Sequence, residues 1–174
     1  MLPSPPRLVT LRPYPARSDM SSQPSHPHRR TREELQKYYL DVLETEGYRP
    51  ELDQDGDVRF RHEGNSYFIE VREDDPMFFR VVMPNFWDIE SPAERKRIIE
   101  AANAACNEIK VSKVFIVRND TWCAVELFLP SQEDFAPLLQ RCLLAIRAAV
   151  NTFTERMRND SAPPADAGDD DDDE

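Results

Sequence analysis

From residue 31 onward the spacing of apolar side chains switches between a helical and a strand period, and the switches divide the chain into elements. Leu35, Tyr38, Tyr39, Val42 and Leu43 recur on one helical face, with a capping-box pattern of Thr31 and Glu34 before them and Gly47 as a stop. Period-two alternation follows in three runs. Val58, Phe60 and His62 alternate with Arg59, Arg61 and Glu63. Tyr67, Ile69 and Val71 alternate with Phe68, Glu70 and Arg72, and Phe79, Val81 and Met83 with Phe78, Arg80 and Val82. Asp55-Gly56, Gly64-Asn65 and Asp74-Asp75-Pro76 punctuate them, so the runs predict a meander of hairpins.

Ser91-Pro92 with Glu94 opens a second helix, whose apolar face is Ile98, Ile99, Ala102, Ala105, Cys106 and Ile109. Val111 to Val117 and Trp122 to Leu129 read as two further strands joined by a turn at Asn119-Asp120. A third helix starts after Ser131 or Asp134 and runs to about Met157, with Pro137 near its first turn because a deeper proline would break the ladder. Phe135, Leu139, Cys142, Ile146, Ala149, Phe153 and Met157 form its main stripe, which Leu138, Leu143 and Val150 widen. The predicted order is α-β-β-β-α-β-β-α, an α+β fold with an antiparallel sheet of about five strands and helices packed on one side. The widened stripe exceeds what one sheet face must cover, which predicts a homodimer or a partner groove.

Composition adds the flanks. Residues 1–30 are rich in proline, arginine and serine and suit neither a helix nor a secretory signal, while residues 159–174 end in Asp169 to Asp173 and Glu174. Both are expected to be disordered, leaving one domain at residues 31–158, and Met20 is an alternative start. Of the net charge of −11, the first segment contributes +4 and the last −8, so the domain carries −7. An acidic domain repels phosphate backbones and anionic membranes and better suits a basic or amphipathic polypeptide. Cys106, Cys123 and Cys142 each sit in an apolar stretch without C-x-x-C spacing, which reads as buried thiols in a reducing, cytoplasmic setting.

Catalytic chemistry finds little support. Asp53, Asp55 and Asp57 around Gly56 suggest a calcium loop, but either register puts His62 or Gly64 where the twelfth-position glutamate belongs. The glycines are isolated, so no phosphate-cradling loop exists, and His62 is the sole histidine in the domain to serve a nucleophile. No cofactor or metal is expected. The unusual feature is Met83-Pro84-Asn85-Phe86-Trp87-Asp88-Ile89, with two large aromatics where a strand hands over to a helix. They either close the core edge or form a recognition patch with Phe78 and Trp122, so Phe78, Phe86, Trp87 and Trp122 are the candidate partner-binding residues.

Gly47-Tyr48-Arg49-Pro50, Asp55-Gly56-Asp57, Tyr67-Phe68-Ile69-Glu70-Val71, Asp74-Asp75-Pro76, Phe79-Arg80 and Pro84-Asn85-Phe86-Trp87 belong to a longer pattern. With Lys113-Val114-Phe115 and Trp122 to Phe128, followed by Pro130, Glu133, Asp134 and Phe135, the stretch from 31 to 158 resembles the YbjN-like, type III secretion chaperone-like domain family. The resemblance implies a bacterial, dimeric, non-catalytic module that holds an extended or amphipathic segment of a partner protein. The alternative is a regulatory or assembly protein that works as a dimer without an unfolded client.

Overall fold

The computed structural model describes residues 30–75 and 77–159. Apart from Arg30 and Asn159, the two flanking segments expected to be disordered lie outside the described residues. The elements are α1 (Arg32–Thr45), β1 (Glu51–Leu52), β2 (Val58–His62), β3 (Asn65–Ile69), β4 (Phe78–Asp88), α2 (Pro92–Glu108), β5 (Ser112–Val117), β6 (Asp120–Phe128), a 3₁₀ segment (Gln132–Leu138) and α3 (Leu139–Asn159). The caps behave as their chemistry dictates. Glu34 donates its backbone N–H to Thr31 Oγ1, the Glu34 carboxylate accepts from the Thr31 N–H, and Ser91 Oγ caps α2.

All strands pair antiparallel in one sheet, in the order β1-β2-β3-β4-β6-β5. The sheet has six strands rather than about five, because a two-residue β1 pairs with β2 and is too short to show a period. The β2–β3 turn is Glu63-Gly64, both with positive φ, as a two-residue hairpin of this hand requires. The β5–β6 turn is Arg118-Asn119, one residue earlier than expected.

Core residues from every helix meet one sheet face, which supplies Val58, Phe60, Tyr67, Ile69, Phe79, Val81, Met83, Val114, Cys123 and Val125. Phe135, in the 3₁₀ segment, is fully buried between Tyr39 and Phe79, with centroids at 5.0 and 5.1 Å. Burial of such a ring contributes roughly 1.5–3 kcal/mol. It anchors a segment that the sequence assigns to the start of α3. Pro137 lies inside that 3₁₀ segment, and the α-helix begins two residues after it.

Two further expectations are corrected. Pro84 to Trp87 is not a strand-to-helix connection: β4 continues through it to Asp88, with a bulge between Met83 and Trp87. Cys106 is exposed rather than buried, while Cys123 and Cys142 are buried. Of the residues that widen the α3 stripe, Leu143 is core, whereas Leu138 and Val150 are half-buried.

Candidate functional site

Strand alternation gives the sheet a second face, on which no helix packs among the described residues. Cross-strand register arranges it in rows. Arg59, Phe68, Val82, Ala124 and Lys113 form one row from β2 to β5. On one side of it, Arg61 pairs with Ser66, and Trp122 pairs with Phe115. On the other side, Arg80 pairs with Glu126, and beyond them Phe78 pairs with Phe128.

The two small residues at the centre of this face, Val82 and Ala124, are fully buried yet stand apart from the helix-side core. Half-buried aromatics surround them. Phe68 meets Trp122 edge-on at 5.9 Å, and Phe115 tilts against Trp122 at 6.3 Å. Arg80 bonds Glu70 at 3.1 Å, lies 3.2 Å from Glu126 and places its guanidinium 5.4 Å from the Phe115 centroid. Lys113 bonds Glu126 at 2.6 Å. The result is an apolar strip bordered by an ion-pair row.

Beside the strip the sheet opens. From the Glu70 N–H bond to the Arg80 carbonyl, the β3–β4 pairing runs through Ile69–Val81 and Phe68–Val82 and goes no further toward the start of β3. The next β4 position facing β3 is Pro84, which has no N–H to offer, so the ladder stops. The β4 bulge then carries the strands apart around a cleft of about 680 Å³, lined in part by Ser66, Tyr67, Pro84, Asn85, Phe86 and Asn151. Asn85 holds the bulge with a φ of +49° and accepts the Trp122 indole N–H at 2.7 Å.

The four candidates from the sequence therefore do not share one face. Trp122 is in the middle of the uncovered strip. Phe78 lies at its far end, 6.0 Å from Phe128, a ring that is 78% exposed. Phe86 and Trp87 are on the helix side, packing edge-on to Phe153 of α3 at 5.1 and 5.6 Å, and Trp87 donates its indole N–H to Glu94. Phe86 also lines the cleft. Phe68 and Phe115 are not among the candidates from the sequence, because each stands beside a core residue in its own strand, Tyr67 and Val114, and only the cross-strand register brings them to Trp122.

Other features are structural or secondary. Tyr48 OH lies 3.3 Å from His62 Nδ1 and accepts from Gln140, which ties the β2–β3 hairpin to α3. A second, apolar groove of about 470 Å³ runs between the end of α2 and α3, lined in part by Ile109, Val111, Leu127, Leu138, Cys142 and Ala145. Among the described residues no cluster of histidine, cysteine or carboxylate side chains could hold a metal ion, and no helix is long and apolar enough to cross a membrane.

A family model described as "T3SS (YopN, CesT) and YbjN peptide-binding chaperone 1" matches residues 33–160. No curated protein matches the chain.

Proposed function

The chain belongs to this peptide-binding chaperone family, and from that premise we propose that it holds an extended segment of a partner protein on the uncovered face of its sheet. The observation that supports this reading is the contact strip of Phe68, Trp122 and Phe115. Three half-buried rings on a face without a covering helix form the kind of apolar anchor that peptide segments dock against. The adjoining cleft, where the β3–β4 ladder stops, presents strand backbone beside that anchor. The activity is binding, performed without a cofactor.

Selection of a binding peptide from a displayed library against the full chain tests the reading. Trp122→Ala should weaken the selected peptide by about tenfold or more, roughly 1.4 kcal/mol. Trp87→Ala, on the other side of the sheet, should change folding stability rather than affinity. Undiminished binding in the Trp122 variant would remove the strip from the account.

The groove between α2 and α3 supports a second reading, a regulatory or assembly protein whose homodimer is the working unit. Leu138 lines it, and half-exposed Val111 stands at its edge. A chain that sediments only as a monomer at high concentration would exclude that reading.

A further inference from the structure

We propose that the segment held on the uncovered face is acidic, with carboxylates next to apolar side chains. This rests on the peptide-holding reading above and adds the charge class of the partner. Arg59 and Arg61 are exposed and project from the same side of β2, two residues and so about 7 Å apart. Exposed Arg49 joins them around a hollow of about 220 Å³ that also touches Ser66 and holds one carboxylate, Glu51, opposite Arg59 in the β1–β2 register, so that three cations face one anion.

Among the described residues none of these three arginines has an ion pair. The other cations of the face are paired, Arg80 with Glu70 and Glu126 and Lys113 with Glu126. Within a domain of net charge −7, three unpaired guanidinium groups along one margin make a local positive field against an acidic background.

The margin is continuous with the aromatic strip. Arg59 stands opposite Phe68, and Arg61 opposite Ser66, in the β2–β3 register. A segment lying across the strands would therefore place an apolar side chain over Phe68 and Trp122 and a carboxylate at Arg59 or Arg61. The guanidinium fork fits a carboxylate with two parallel hydrogen bonds and keeps its charge at any relevant pH. Phosphate fits the same fork. A nucleic acid, however, would carry its charge at every unit past Glu70 and Glu126, which border the strip, whereas a peptide can set its carboxylates at the arginines alone.

Three labelled probes titrated against the full chain by fluorescence anisotropy test the assignment. They are a short peptide alternating aspartate and leucine, its lysine-for-aspartate counterpart, and a single-stranded oligonucleotide. The aspartate peptide should bind tightest, more weakly as salt rises, and about tenfold more weakly to the Arg59→Ser, Arg61→Ser double variant. Arg59→Lys, Arg61→Lys should restore most of the affinity. The unfolding temperature of both double variants should match the parent, since both side chains are exposed.

Tighter binding of the lysine peptide would overturn the charge class and leave the peptide-holding reading in place. Binding of neither peptide, to the full chain or to its Asp169→Asn through Asp173→Asn variant, would overturn both. Tightest binding of the oligonucleotide would assign the face to nucleic acid. Binding of the aspartate peptide that appears only after Asp169→Asn through Asp173→Asn would assign the margin to the chain's own acidic end instead of a partner.

Discussion

The indole N–H of Trp122 bonds to the side-chain oxygen of Asn85 at 2.7 Å, joining the uncovered side of β6 to the bulge in β4. Asn85 thus meets two demands, a left-handed backbone and an acceptor for a half-buried donor. Asn85→Ala loses the bond and strains the backbone, and should cost about 1–3 kcal/mol. Asn85→Gly keeps the backbone easy and should cost about 1 kcal/mol. Denaturant unfolding of both variants checks this; equal losses would mean that the backbone contributes nothing.

Trp87 packs on Phe153 and bonds Glu94, so Trp87→Ala should lower stability by about 3 kcal/mol, as large aromatic truncations do. Trp122→Ala exposes Val82 and Ala124 without opening the helix-side core, and should cost less. Unfolding midpoints that rank the two the other way would contradict the assignment of Trp87 to the core edge.

Thr121 is fully buried on β6, and its Oγ1 has no hydrogen-bond partner among the described residues. Valine has a similar shape without the hydroxyl. Thr121→Val should therefore raise stability by about 1 kcal/mol, the desolvation cost it removes. A loss of stability would reveal a partner for the hydroxyl, such as an ordered water.

Asp57 accepts the Val71 N–H at 2.9 Å, and burial raises its carboxyl above the ordinary value, with the charges of Asp53 and Glu70 adding to the rise. The Val71 bond and Arg32 oppose that rise without cancelling it. A group whose folded pKa is raised favours folding most below its unfolded pKa, and that contribution disappears as pH rises through the folded value. Asp57→Asn retains an acceptor for Val71 and removes the charge. Relative to the parent, it should be more stable at neutral pH than in acid, as read by urea midpoints at the two values. A pH-independent difference would show that Asp57 does not titrate abnormally.

Burial pushes the Cys123 thiol up to about 12 and the Cys142 thiol to about 11, whereas Cys106 is exposed. A thiol reagent on the native chain should modify Cys106 quickly and the other two only on unfolding, since the thiolate is the reactive form. Peptide mapping of the modified cysteines decides. Rapid native modification of Cys142 would show that the groove between α2 and α3 opens.

Local chemistry made most of the elements legible. Thr31 with Glu34 and Ser91 with Pro92 marked two helix starts, because an unpaired helix N-terminus needs an acceptor whatever surrounds it. Alternation along β2, β3 and β4 identified the core-facing positions Val58, Phe60, Tyr67, Ile69, Phe79, Val81 and Met83. The α3 boundary was not legible, because Phe135 is buried by Tyr39 and Phe79, which are far away in the sequence, and this holds a 3₁₀ segment in place of a first helical turn.

The candidate site divides along the same line. Periodicity says which side chains of one element share a face, and the family pattern in the residues pointed to peptide binding. Neither says what lies opposite that face. Phe68, Phe115 and Trp122 come together only because β6 pairs with β4 on one side and with β5 on the other. Phe86 and Trp87 separate from them because the bulge keeps their side of β4 against Phe153. A strand's own residues set its two faces, but register and helix packing act between elements distant in the chain. Those forces selected which face the helices cover and left the aromatic strip and its arginine margin on the other.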